Sequence, residues 1–146
     1  MHIVSHPRNG NMSSIYTLIP RPICDFAHLD AVTRYTFGLI WDRWSLSYKP
    51  ENREKYSDHY GIFCFYEREA IAAEIGITLP TLRKSINALI DAGLLRVRRS
   101  GYGAAYRYYI TERAWDHMSN AHEDTWWLPM DPGDGLDPVR LKYSKE

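Results

Sequence analysis

Residues 76–95, GITLPTLRKSINALIDAGLL, decide the fold. Gly76 is the residue type that closes a helix in the left-handed conformation, and Thr78 two positions on is a strong N-cap for another. Pro80 falls in the first turn of that second helix, where its missing amide proton costs nothing, and the helix runs through Ala92 to a glycine stop at Gly93. One helix ending and another starting within three residues is a helix-turn-helix corner, with Ile77 as its apolar plug. The second helix, about 79–92, is the reading helix of such a motif. On its wheel Leu79, Leu82, Ile86, Leu89 and Ile90 share one arc and are expected to face the core. The opposite arc holds Pro80, Thr81, Lys84, Asn87 and Ala88, with Arg83 at its margin. That face is small, polar and cationic, as a helix laid in a major groove must be.

Working downstream, residues 94–99 alternate as a strand, with Leu95 and Val97 inward and Arg96 and Arg98 outward, followed by Arg99. Residues 100–103, SGYG, form a turn, and residues 104–111 return as a second strand with Tyr106, Tyr108 and Ile110 on one face and Arg107 and Tyr109 on the other. This hairpin, about 94–111, is a wing. Its outer arginines would flank a duplex backbone, and Tyr102 at the tip would reach a sugar or a minor-groove edge. The expected DNA-binding set is therefore Thr78, Pro80, Thr81, Arg83, Lys84, Asn87, Arg96, Arg98, Arg99, Tyr102 and Arg107. Arginines alternating on a strand are more often a solvated face than a nucleic-acid site; the adjacent helix-turn-helix tips the reading toward DNA.

Working upstream, residues 67–75 form the first helix of the motif, with Ile71, Ala72 and Ile75 inward and Glu67 and Glu69 in its first turn. The run Ile62, Phe63, Cys64, Phe65 after Gly61 has strand character, and residues 51–60 read as a polar surface loop. Asp30 caps a long helix that ends near Tyr48, before Lys49-Pro50. Two apolar arcs run along it, and one of them, Phe37, Trp41, Trp44 and Tyr48, is aromatic. A helix apolar over most of its girth is covered on more than one side, either by its own chain or by a second copy; the aromatic arc is the candidate homodimer contact. Residues 15–23, broken by Pro20 and Pro22, suit an extended arm or edge strand and not a helix. The fold class is α+β, a winged helix-turn-helix with a long aromatic-rich N-terminal helix. Residues 1–14 are a flexible leader, 15–118 the domain, and 119–146 an acidic tail or linker.

Composition sets the outer limits. With 146 residues, 45% of them hydrophobic, the chain suits one folded domain with extensions. The formal net charge of zero hides two opposite patches. Between Thr78 and Arg107 six cations (Arg83, Lys84, Arg96, Arg98, Arg99, Arg107) face only Asp91, while between Glu112 and Asp137 seven carboxylates face only Arg113. No stretch is long and apolar enough for a membrane span, and MHIVSHPRNG lacks the apolar run of a secretory signal, so a cytoplasmic location without membrane contact is expected. Two cysteines, Cys24 and Cys64, make no disulfide framework. Paired with His28 and His59 they lack a short metal knuckle, so neither a metal nor any other cofactor is expected. No phosphate loop, nucleophile elbow or zinc-hydrolase helix is present, so an enzyme is not expected. The apolar knot Trp126-Trp127-Leu128-Pro129-Met130 either folds back over the long helix or docks another protein.

The order of a strand and first helix (GIFCFYEREAIAAEIG, 61–76), a capped second helix (ITLPTLRKSINALIDAGLL, 77–95) and a glycine-tipped basic hairpin (RVRRSGYGAAYRYYIT, 96–111) resembles the N-terminal winged-helix domain of plasmid replication initiator A proteins. The lead-in YTLIPRPICDFAHLDAVTRYTFGLIWDRWSLS (16–47) resembles the same family, so the likeness covers about residues 15–115. It implies sequence-specific binding to repeated double-stranded sites at a plasmid or mobile-element origin, often as a dimer, with host replication proteins recruited through a further C-terminal domain. Residues 119–146 are too few and too rich in Pro, Gly and Asp to form that domain. The core pattern is shared by many winged helices, which leaves a transcriptional regulator and a protein-interaction module as alternatives.

Overall fold

Asp30 begins the first long element as its position suggests: its carboxylate accepts from the Thr33 amide at 2.8 Å, and helix α1 runs over Ala31–Tyr48. In this computed structural model residues 19–99, 101 and 103–120 are described. The leader, the start of the arm, Tyr102 and the Trp126-Trp127 tail lie outside them. Pro50 restarts the chain as a single helical turn, α2 (Pro50–Arg53), followed by a two-residue strand β1 (Ser57–Asp58) that pairs with β2 (Gly61–Phe65). The stretch expected as a plain loop thus closes into a small hairpin. The arm differs as well: residues Arg21–Asp25 wind into a 3-10 turn, because Pro22 near its start has no amide to lose.

The helix-turn-helix is α3 (Arg68–Ile75) and α4 (Leu79–Asp91). Gly76 between them has φ +85°, and its amide and that of Ile77 both donate to the Ala72 carbonyl, at 2.8 and 3.0 Å. Thr78 caps α4 through its hydroxyl, which accepts from the Thr81 amide at 3.4 Å. Gly93, φ +78°, turns the chain out of α4, and Leu94 beyond it is buried. The wing follows as β3 (Leu95–Arg99) and β4 (Tyr106–Ile110), and α5 (Glu112–Asn120) closes the described chain. The strands form an antiparallel sheet in the order β1-β2-β4-β3. This is a winged helix-turn-helix with an added first helix and a capping last one.

The long helix α1 is the centre of the core. Phe37, Ile40, Trp41 and Trp44 have no exposed surface and Tyr48 only 1%. The Trp44 indole donates to the Ile62 carbonyl at 2.8 Å, which ties α1 to β2. Trp115 of α5 covers the aromatic arc, with ring centroids 6.2 Å from Trp41, 5.9 Å from Trp44 and 5.8 Å from Tyr48. The homodimer expectation is corrected here: Phe37, Trp41, Trp44 and Tyr48 are buried within the chain, the last three against Trp115, and offer no surface to a second copy.

Two inward assignments on α4 are also overturned. Leu79 and Ile90 are 42% and 40% exposed, while Ser85 is buried and its hydroxyl accepts from that of Thr33 at 3.2 Å. The helix rests on α1 along one narrow line, Leu82, Ser85, Ile86 and Leu89, so the arc that touches the core is slimmer than the apolar arc on the wheel.

Candidate nucleic-acid interface

The exposed side of α4 carries Pro80, Thr81, Arg83, Lys84 and Asn87, all open to solvent, with Ala88 half-buried at the edge. Thr78 and Thr81 hydroxyls lie 3.0 Å apart at the helix start, so both are engaged in the cap in the unbound chain. Their amides and the helix dipole leave this end suited to an anion.

Strand parity decides where the wing arginines go. Leu95, Val97 and Arg99 project to the side of the sheet that holds the helices, across from Ile110, Tyr108 and Tyr106. Arg96 and Arg98 project to the other side, across from Tyr109 and Arg107. Of the wing arginines, Arg99 is the one that shares a cleft with the start of α4. It lines a cleft of about 460 Å³ together with Arg83, the exposed Leu79, Tyr106 and a residue that sequence reasoning missed, Arg68 of α3. Arg99 is held in place: its Nε donates to the Ala104 carbonyl at 2.9 Å, and its guanidinium carbon lies 4.8 Å from the Tyr106 ring centre. Arg68 approaches the same ring to 4.2 Å and donates through Nε to the Tyr108 hydroxyl at 3.4 Å. Burial pushes that hydroxyl above its ordinary pKa, against the pull of Arg68.

The outer face of the sheet is organised around Asp58. Its carboxylate accepts from the Tyr109 hydroxyl and from Arg107, each at 2.6 Å, and from the Tyr60 amide at 2.8 Å. Burial works to raise its pKa, yet these bonds outweigh it and hold the carboxyl below the usual value. Arg107 also lies over the Phe63 ring at 4.4 Å, and Arg98 lies over Tyr60 at 3.6 Å. Arg107 is thus committed to an ion pair within the sheet and Arg98 to an aromatic ring. Arg96 is exposed on this same face, near Ile90 at the far end of α4.

The set expected from sequence is split by the fold. Thr78, Pro80, Thr81, Arg83, Lys84 and Asn87 lie together on the exposed side and start of α4, and of these Arg83 shares a cleft with Arg99. Arg96, Arg98 and Arg107 lie behind them, and Tyr102 is outside the described residues. Arg68 could have been suspected from its place at the start of the first motif helix, but nothing in its spacing points at the wing. Cys64 is buried in the core, where desolvation pushes its thiol up to about 12, so it fits a packing role.

No family model matches the chain, and no curated protein does. Two solved structures share its architecture. One is the N-terminal domain of a DNA-binding protein, with a TM-score of 0.52 and 21% identity over 75% of this chain and 89% of that one. The second is a Rep protein in complex with DNA, with a TM-score of 0.51 and 21% identity over 75% of this chain and 90% of that one. The fold is the one these structures share. The architecture expected from the resemblance to initiator N-terminal domains is therefore the one found. No helix among the described residues is long and apolar enough to cross a membrane.

Proposed function

We propose that this chain binds double-stranded DNA in a sequence-specific manner, with α4 in the major groove and the wing against the flanking backbone. One observation carries the reading: the solvent-facing side of α4 carries Arg83 and Lys84 with Thr81 and Asn87, and at its edge Arg83 shares a cleft with the helix-facing Arg99 of the wing. Lys84 and Asn87 have the donors to read guanine and adenine edges, and the small residues Pro80, Thr81 and Ala88 let the helix come close. Together with the resemblance to plasmid initiators and the fold shared with a Rep protein solved on DNA, this supports a role in marking a plasmid or mobile-element origin for host replication proteins. The role needs no catalysis by this chain; the polymerising and unwinding chemistry belongs to the partners.

The test is binding of the purified chain to fluorescein-labelled duplexes tiled across the replicon that encodes it, with footprinting of any duplex bound. Protection of direct repeats beside the replication gene is the expected result. Protection of inverted repeats upstream of an operon would move the function to transcriptional control, and equal, weak binding to every duplex would remove sequence specificity.

A further inference from the structure

Arg68, Arg83 and Arg99 come from three different elements, α3, α4 and β3, and line one cleft. Arg68 and Arg99 stand within 4.2 and 4.8 Å of the same Tyr106 ring centre. Among the described residues none of the three makes an ion pair, although Glu67 and Glu69 also line the cleft. Those carboxylates belong to the start of α3, where they answer the positive end of the helix. Three guanidiniums gathered without a paired anion repel one another, and two of them are held in place by neutral acceptors, the Ala104 carbonyl and the Tyr108 hydroxyl. Such an arrangement gains most from an anion with several oxygens, because each planar fork can donate two bonds to it.

From this we infer that the cleft is a phosphate clamp: it takes one phosphodiester of the DNA backbone between α4 and the wing, with Arg68 as its innermost ligand. The inference rests on the proposed duplex binding and adds to it a residue outside the reading helix and the hairpin. Arg68 comes from the first motif helix, so the clamp joins all three elements on one phosphate and fixes how deeply α4 sits in the groove. The outer-face arginines have no part in it.

The salt dependence of duplex binding separates the clamp from the reading beneath it. The wild-type chain, Arg68→Ala, Arg68→Lys and Arg98→Ala are titrated with one fluorescein-labelled duplex between 50 and 200 mM KCl, and each variant's thermal unfolding is recorded. Loss of one phosphate contact lowers the log-log slope by about 0.9, so the affinity of Arg68→Ala falls about 3.5-fold less across that range. Arg68→Lys keeps the slope, because an ammonium still neutralises the phosphate, and Arg98→Ala leaves it unchanged. A folded Arg68→Ala protein with the wild-type slope overturns the clamp, while failure of the wild-type chain to bind any duplex overturns the DNA reading itself. If Arg68→Ala does not fold, an Arg68→Glu protein that folds and keeps the wild-type slope overturns the clamp equally well.

Discussion

Arg107 and Asp58, 49 residues apart in sequence, meet at 2.6 Å on the outer face of the sheet and lock the β1 hairpin onto the wing. The pair is partly shielded, with side chains 31% and 20% exposed, and the Tyr109 hydroxyl shares the same carboxylate oxygen. Removing either partner leaves charged hydrogen bonds unmade at about 1–2 kcal/mol, after allowance for screening by solvent. Arg107→Ala should therefore lower the denaturation midpoint and leave the salt slope of DNA binding unaltered. A binding defect without a stability change would return Arg107 to the interface.

The same carboxylate makes stability depend on pH. Asp58 is held below its ordinary value of 3.8, so its contribution is fully present above that value and is lost as pH falls through the depressed one. Tyr109 works at the other end: burial first, then the bond to Asp58, raises it from 10.0 to about 12, so its contribution is present below pH 10.0 and disappears as pH climbs through about 12. Urea denaturation of Asp58→Asn should show a flatter acid limb than the parent and a smaller alkaline loss above pH 10.0, because part of what raises Tyr109 is gone. Matching profiles would mean that the carboxylate does not govern either limb.

Trp115 is the lid of the aromatic core. Trp115→Ala should cost about 3–5 kcal/mol, because it opens a large cavity against three buried rings, and near-ultraviolet circular dichroism should lose most of its intensity. Trp41→Glu should unfold the chain and not merely change its mass by light scattering. A folded Trp41→Glu protein would show that the core tolerates a charge where the described packing leaves no room for one.

Two glycines should respond differently to alanine. At Gly38 an added methyl would lie 2.5 Å from Ile19 Cγ1 and 3.4 Å from its Cα, so the arm must shift, at about 1–3 kcal/mol. At Gly76 nothing lies within 4 Å and only the left-handed φ of +85° opposes the change, at about 1–2 kcal/mol. A Gly38→Ala protein that melts with the parent would argue against a close crossing of arm and helix.

On the DNA side, Lys84→Ala and Asn87→Ala should each cost about 1–3 kcal/mol at particular base pairs and little on random duplex. Selection from a randomised duplex library checks this. Uniform loss across all sequences would make both residues backbone contacts.

Much of this molecule is written in local signals. Asp30, Thr78, Gly76 and Gly93 each act through their nearest neighbours in sequence, and so the start of α1 and both ends of the helix-turn-helix corner could be placed without coordinates. Strand parity in residues 95–99 was equally plain. What it meant for binding was not, because the second wall of the cleft, Arg68, comes from a helix that meets the wing only in three dimensions. The last helix was hidden for another reason: Thr111 ends a strand and also caps α5, its hydroxyl donating to the Gly93 carbonyl at 2.6 Å and accepting from the Ala114 amide at 3.1 Å. A residue doing two jobs reads as only the first. Residues 112–118 were placed inside the domain without a helix of their own, and Trp115 among them was not credited as core.

The hairpin's two surfaces answer to different demands. Under the proposed reading, changes at Arg99 or Tyr106 would alter what the chain holds, whereas changes at Arg98, Arg107 or Tyr109 would alter how firmly it folds. A lineage could then rewrite one side while the other goes on guarding the fold, and a designer could stabilise the domain from behind without retuning its grip.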